Sequence, residues 1–275
     1  MPELPEVETA RRGIARRLVG RRIEAVVVRE RAQRWPIPRS FDAKLRGQRV
    51  VAVRRRGKYL LIDTAAGSAL VHLGMSGSLA VVAAGLAPRK HDHWDLVLDD
   101  GRALRMHDPR RFGALLWIAA GADEARHPLL AHLGPEPLAG SAEALAAHLA
   151  SRARGRRGAV KQFVMDGKVV VGVGNIYASE ALFAARVRPG RAAGRVTAAE
   201  WRAIARAVQR VLTRAIAKGG TTLRDFAQPD GKPGYFRIKL NVYDRTGEPC
   251  RRCGTPIKAR VQGQRATYWC AECQR

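Results

Sequence analysis

Four cysteines fall within residues 250–273: Cys250-x2-Cys253, a spacer of sixteen residues, then Cys270-x2-Cys273. Two C-x2-C pairs at this separation suit one tetrahedral four-thiolate zinc ion, each pair forming a knuckle on its own short hairpin. Four thiolates leave no open position for water, so the expected Zn2+ is structural. Arg265, in QRATYWC between the knuckles, sits where a guanidinium can enter a groove or meet a phosphate, or be one more solvated arginine.

The other end of the chain offers a nucleophile. Removal of the initiator Met would leave Pro2 with a secondary α-amine titrating near about pH 8, partly unprotonated at neutral pH. An amine that attacks a sugar C1′ forms an iminium intermediate, and Glu3 and Glu6 lie close enough in sequence to move protons. PELPE is also a good helix start, with Pro5 in the first turn and Glu6 and Glu8 at the positive end of the dipole. Residue types favour the helix start for Glu6 and Glu8 and leave Pro2 and Glu3 open. Lys58, in RRRGKYLLI, can lose its proton beside cations where arginine cannot; it reads as an acid or base, or as a surface charge at a strand entry.

Two turns present side chains outward. Met75 stands between glycines in HLGMSG, and Arg110 and Phe112 stand in DPRRFG. An apolar wedge beside an arginine can fill the hole left by an extruded base, although a lone Met or Phe is more often core. His91-Asp92-His93 lacks a third ligand in register and reads as hydrogen-bonding histidines that can meet phosphate. Gly172-Val173-Gly174-Asn175 precedes a helix, where backbone N–H groups and Asn175 can hold a phosphate. It lacks the full dinucleotide fingerprint.

These residues must be held by two kinds of structure. Val7, Ala10, Ile14 and Leu18 predict a helix over 5–20 with Gly20 as its stop. Short β-branched runs follow at 26–28, 50–53, 59–62, 69–73, 79–82, 96–98 and 114–118, separated by Gly, Pro and Asp, with Asp99-Asp100-Gly101 as a hairpin turn. Strands joined without intervening helices predict an antiparallel sandwich or barrel, placed at residues 1–134. Residues 121–140 carry three Gly and three Pro and read as a connection. Helical periodicity returns at 142–150, 159–165 and 176–185. Thr197 and Glu200 form a capping box before a helix ending at Gly219-Gly220, giving an all-α domain with a basic outer face. QPDGKPGYF, residues 228–236, predicts a mobile loop.

Bulk properties narrow the function. The 275 residues carry 50 Lys plus Arg against 24 Asp plus Glu, a net charge of +26. By segment this is +10 over 1–134, +11 over 135–249 and +5 over 250–275, so no basic tail explains it. A surface positive throughout points to a polyanion tracked along its backbone, hence nucleic acid. Of the cations 41 are Arg, with abundant Ala, which indicates a GC-rich coding sequence; the sign of the charge is informative and the Arg preference is not. At 46% hydrophobic the chain is not disordered. No apolar run approaches the roughly 18 residues of a membrane span, and the acidic start resembles neither a secretory signal nor a transit peptide, so a cytoplasmic protein is expected, and a monomer because nothing suggests otherwise.

Taken in order, PELPEVE, RRRGKYLL, HLGMSGSL, KHDHWDL, DPRRFG, GPEPL, VVGVGNIYASE, GGTTLRDF, DGKPGYF and the cysteine finger resemble the formamidopyrimidine-DNA glycosylase family nearly end to end. PELPE and KPGYF are closer to this branch than to the endonuclease VIII branch, which prefers oxidised pyrimidines. The resemblance implies an α+β multidomain protein: a β-sandwich with flanking helices at 1–134, a helix-two-turn-helix domain at 135–235 and a zinc-finger β-hairpin at 236–275. It implies a bacterial, nucleoid-associated base-excision enzyme acting on duplex DNA with oxidised purines (8-oxoguanine, formamidopyrimidines) or abasic sites. Base excision through a Schiff base would be followed by strand cleavage by β,δ-elimination. Pro2 would be the nucleophile, Glu3 a proton donor, Lys58 the acid of β-elimination and Arg265 the δ-elimination residue. His91, Arg110, Arg157, Asn175 and Glu6 fall in the DNA-binding set, with Met75, Arg110 and Phe112 filling the void behind a flipped base. Residues 228–236 would close over the lesion. A non-catalytic zinc-finger protein would share the charge and the cysteines but leaves Pro2-Glu3 unexplained.

Overall fold

Pro5 in the first turn and apolar side chains at helical spacing produce α1 (Leu4–Leu18), which ends at Val19 before Gly20 with φ +85°. The computed structural model describes residues 2–219 and 240–275, so the anticipated loop at 228–236 lies outside the described residues. Two compact units divide them: 2–131 with 219, and 132–218 with 240–275.

In the first unit α1 is followed by β1 (Ile23–Val28), α2 (Phe41–Leu45), β2 (Ala52–Arg56), β3 (Tyr59–Thr64), β4 (Gly67–His72), β5 (Ser78–Ala83), β6 (Asp92–Leu98), β7 (Arg102–His107) and β8 (Ala114–Ala119). They form two antiparallel four-stranded sheets, β1-β6-β7-β5 and β2-β3-β4-β8. One apolar core joins them, drawing Val26, Leu79, Leu96 and Leu104 from the first sheet and Val53, Leu60, Val71 and Leu115 from the second. The sandwich needs its open sides covered, because edge strands expose unpaired backbone. α1 packs on the edge strands β2 and β5 with Val7, Ala10, Ile14 and Leu18 buried. α2 packs on β1, and its Phe41 meets Trp117 of β8 edge to face at 6.1 Å.

Two of these elements were not anticipated. β7 reads Arg-Ala-Leu-Arg-Met-His, and its charges hide the strand. Arg105 is buried there because Asp95 lies directly across the ladder and accepts from it at 2.9 and 2.8 Å. α2 is too short to show a period. β2 runs on through Arg54–Arg56 beyond the expected 50–53, since Arg54 bonds Asp63 at 2.5 Å and Arg55 reaches α1.

The second unit holds α3 (Ala142–Ala153), α4 (Val160–Met165), α5 (Asn175–Ala184), α6 (Ala198–Ala217) and the hairpin β9 (Lys258–Gln262) and β10 (Arg265–Trp269). The expected capping box opens α6: Thr197 N–H donates to Glu200 Oε2 at 2.8 Å and Glu200 N–H to Thr197 Oγ1 at 3.3 Å. α5 is buried from Ile176 to Phe183, packed against α4, α6 and β10. Among the described residues no helix is long and apolar enough to cross a membrane.

Candidate active site and nucleic-acid interface

Pro2 and Glu3 are buried at the start of α1, and the Glu3 N–H donates to the Glu6 carboxylate at 2.9 Å, so the helix start and the proposed chemistry occupy the same residues. One turn further, buried Glu8 accepts from Arg11 at 3.0 and 2.9 Å, Arg12 at 2.8 Å and Arg55 at 3.2 Å. Burial alone would raise its pKa; the hydrogen bonds of Arg11, Arg12 and Arg55 and the charge of Arg11 overcome this and hold it at about 2. Arg55 also donates to the Gly57 carbonyl at 2.9 Å. Gly57, with φ +58°, and Lys58 form the turn between β2 and β3. A single guanidinium therefore ties the helix carrying Pro2 and Glu3 to the turn carrying Lys58.

His72 lies across the strand pair from Tyr59, its ring 4.8 Å away. Burial, then the charges of Lys58 and Arg34, push its pKa down to about 4. Its Nδ1 accepts the Gly74 N–H at 3.1 Å, as a neutral imidazole must.

Gly74 opens the Met75 turn, and a Cβ there would lie 2.5 Å from the Phe112 backbone, so this turn and the Arg110–Phe112 turn touch. Asp108, fully buried, fastens both. Its carboxylate accepts from Ser76 Oγ at 2.7 Å and from the backbone N–H of Arg110 at 3.3 Å and Gly113 at 2.8 Å. Above this knot Phe112 is 40% exposed with the Arg110 guanidinium 4.8 Å over its ring, and Met75 is half-buried. An apolar and a cationic probe thus project from one rigid base. His91 stands beside it with φ +75° and its ring 6.2 and 6.1 Å from those of His93 and His107. The second and third histidines are occupied: His93 bonds the Asp108 carbonyl and His107 the Asp92 carboxylate.

The remaining candidates belong to the second unit. Asn175 is the first residue of α5, directly after Gly174. Its Oδ1 accepts from Lys161 Nζ at 2.6 Å, and the same fully buried ammonium donates to the Ala266 carbonyl and Thr267 Oγ1, both at 2.8 Å. With Oδ1 engaged, the amide group of Asn175 is left to act as a donor. Lys161 also fixes β10 beside Arg265, which is exposed at the hairpin tip. That tip is a two-residue turn with positive φ at Gly263 (+56°) and Gln264 (+59°), the geometry such hairpins favour. Arg157 is exposed in the segment between α3 and α4.

The four cysteine sulfurs lie within 4.8 Å of one another, with contacts of 3.4 Å (Cys253–Cys270), 3.5 Å (Cys253–Cys273) and 3.9 Å (Cys250–Cys273). A tetrahedron with Zn–S arms of about 2.3 Å has edges of about 3.8 Å, so the thiolates fit one structural zinc. Beneath them Phe183, Val242 and Ile257 form a small core with Cys250 and Cys270. Buried Glu180 of α5 holds the approach to the finger, accepting backbone N–H groups of Asn241, Val242 and Tyr243 at 2.8 to 3.0 Å.

Reading the residues alone gave Glu8 only a place at the helix start and did not single out Arg55, His72, Asp108, Lys161 or Glu180. Lys161 had a signal, being one of only 9 lysines in an arginine-rich chain.

Three family models match in succession: the formamidopyrimidine-DNA glycosylase N-terminal domain over residues 1–115, the formamidopyrimidine-DNA glycosylase H2TH domain over 133–227, and the zinc finger found in FPG and IleRS over 247–275. This combination defines the class as a zinc-finger-bearing DNA glycosylase. The formamidopyrimidine-DNA glycosylase of Thioalkalivibrio sulfidiphilus is 58% identical and that of Methylococcus capsulatus 56%, each over 275 residues and the whole of both chains. Among solved structures, MutM (Fpg) of Thermus thermophilus is 41% identical with a TM-score of 0.85, covering 99% of this chain and 98% of its own. A Lactococcus lactis Fpg in complex with abasic-site DNA is 28% identical with a TM-score of 0.87, covering 99% of each chain. The chain belongs to the formamidopyrimidine-DNA glycosylase family, whose members are glycosylases and AP lyases of DNA repair.

Proposed function

We propose that the enzyme excises oxidised purines, 8-oxoguanine and formamidopyrimidines, from duplex DNA and then cuts the strand at the resulting abasic site. The Pro2 nitrogen attacks C1′ as the bond to the base breaks, Glu3 supplies a proton, and the product is an iminium between Pro2 and the opened sugar. The iminium acidifies the C2′ proton; its loss expels the 3′ phosphate with Lys58 as acid. A further elimination expels the 5′ phosphate with Arg265 assisting. Water then releases Pro2. Zinc holds the finger and takes no part in these steps. His91, Arg110, Arg157 and Asn175 contact DNA backbone, Glu6 orders the Pro2-Glu3 start, and Met75, Arg110 and Phe112 fill the space of the extruded base. The functional domains are residues 1–134, 135–235 and 236–275, acting as a monomer on the bacterial nucleoid.

The observation that carries this reading is the Pro2-Glu3 start fixed on α1 and tied through Glu8 and Arg55 to the Lys58 turn, in a chain alike over its whole length to DNA glycosylases. The test is borohydride trapping on a duplex with 8-oxoguanine opposite cytosine, with the adduct mapped by mass spectrometry. An adduct on Pro2 is expected. Trapping only on an oxidised-pyrimidine duplex would move the enzyme to the other branch, and an adduct on a lysine would remove Pro2 from its role.

A further inference from the structure

The outer face of α6 has no part in the chemistry above. Arg202, Arg206, Arg210 and Arg214 recur every four residues along it and all are exposed, and Lys218 continues the row. The opposite face is apolar, with Trp201, Ile204, Ala205, Val208 and Leu212 buried, and α6 packs on α3 and α5. The arginines therefore point away from α5, the helix whose first residue is Asn175. Beyond Glu200 the helix carries no Asp or Glu. Glu143 of α3 bonds Arg206 at 2.8 Å and also feels the charge of Arg202; Arg210 and Arg214 form no ion pair with a described residue.

Like charges four apart on a helix repel, and repulsion at each step of a row is unfavourable to the isolated fold. A GC-rich coding sequence exchanges Lys for Arg, but it sets neither the four-residue spacing nor the absence of acids. Side chains at i and i+4 form a ridge inclined about 26° to the helix axis. From Arg202 to Arg214 it is about 18 Å long at 1.5 Å per residue. One DNA strand presents a phosphate every 3.4 Å of axis, so this length faces about five phosphates.

We propose that the Arg202–Arg214 ridge is a second duplex-binding surface, holding the backbone of a DNA segment other than the one at the catalytic face. The inference rests on the proposed function, in which Asn175 at the start of α5 contacts the lesion duplex. A ridge on the far side of α6 then lets one molecule hold two segments. The contacts are to phosphates alone, so the second segment is bound without regard to sequence or damage.

The test uses the full-length zinc-loaded protein, a short lesion duplex and a longer undamaged duplex in different colours, with their co-diffusion followed as protein is added. Wild type is expected to join the two. Arg202→Gln/Arg210→Gln/Arg214→Gln should lose co-diffusion at least tenfold, and the log–log salt slope for the second duplex should fall by about three. Single-turnover cleavage of the short duplex should be unchanged, and the thermal midpoint unchanged or higher, because repulsion is relieved. Absence of co-diffusion in wild type overturns the proposal. Equal loss of short-duplex binding by the variant overturns it by assigning the ridge to the first duplex. Capture by wild type of a polyglutamate peptide but not of the second duplex overturns it in favour of an acidic protein partner. Failure of wild type to bind even the lesion duplex would instead overturn the functional reading.

Discussion

Glu8→Gln tests the argument that a buried ionic knot aligns the catalytic helix with the Lys58 turn. Glu8 accepts four hydrogen bonds from three arginines while its side chain is only 11% exposed. A carboxyl held at about 2 instead of 4.5 contributes about 3 kcal/mol at 1.4 kcal/mol per pH unit. Screening of the half-exposed Arg12 lowers this to roughly 2–3 kcal/mol. Glutamine keeps the shape but removes the negative charge that three guanidiniums share. At about 3 °C per kcal/mol, the expected fall in midpoint of the first unit is about 6–9 °C. The pH dependence carries the sharper sign. Because the folded carboxyl is held below its unfolded value, its contribution is complete above about pH 4.5 and is lost as pH falls through about 2. His72 behaves differently: held neutral at about 4 against 6.5, it makes the fold lose stability as pH falls from 6.5 to 4 in both proteins. The difference between wild type and Glu8→Gln in thermal unfolding from pH 3 to 8 should thus be flat from pH 8 to about 5.5 and shrink below 4.5. Cleavage of a preformed abasic site should slow with it, since the Lys58 turn loses its anchor. A difference that does not vary with pH, or a Glu8→Gln enzyme cutting abasic sites at the wild-type rate, would refute the reasoning.

Pro2→Gly should cut a lesion duplex severely more slowly while binding it with near wild-type affinity, as gel shift beside single-turnover kinetics will report; normal cutting removes Pro2 from the mechanism. Asp108→Ala unties the Met75 and Phe112 turns and leaves Ser76, the buried Gly113 N–H and the Arg110 N–H without their acceptor. A loss of about 2–4 kcal/mol in denaturant unfolding is expected, with excision from a paired lesion slowed more than cleavage of an abasic site. Stripping zinc with a chelator should unfold the finger, seen as loss of Trp269 fluorescence structure together with duplex affinity, and zinc should restore both. Duplex affinity should fall linearly in log–log salt, losing about 0.9 in slope per phosphate neutralised; a flat plot would refute backbone tracking.

Legibility in the sequence followed the range of the interactions. α1, the α6 capping box and the Asp99–Gly101 turn between β6 and β7 rest on neighbours within four residues, and residue type and spacing reveal those. β7 and Arg105 did not show, because burying an arginine makes sense only when Asp95 is known to face it across the ladder. The candidate site divides the same way. The cysteine spacing announces zinc, and the Met75 and Phe112 turns announce themselves by glycine and proline. Asp108 links turns about thirty residues apart, and Lys161 meets a strand 105 residues later, so neither partner is visible before folding.

The placement of acids explains how so basic a chain keeps a defined site. With 24 acids against 50 cations, the chain carries 26 more cations than acids. Several buried acids do not blanket that surface; they hold turns and strands in place. Glu8 holds the Lys58 turn through Arg55, Asp108 holds both wedge turns, Asp95 holds β7 through Arg105, and Glu180 holds the entry to the finger. A buried carboxylate is costly unless each lone pair is met, so each of these acids demands several donors at once and fixes their geometry. The arginines left over lie outside, where a polyanion rather than a side chain completes them. Neutralising the knots should therefore damage chemistry and stability with little change in salt slope, whereas neutralising outer arginines should flatten the salt slope and leave the fold intact.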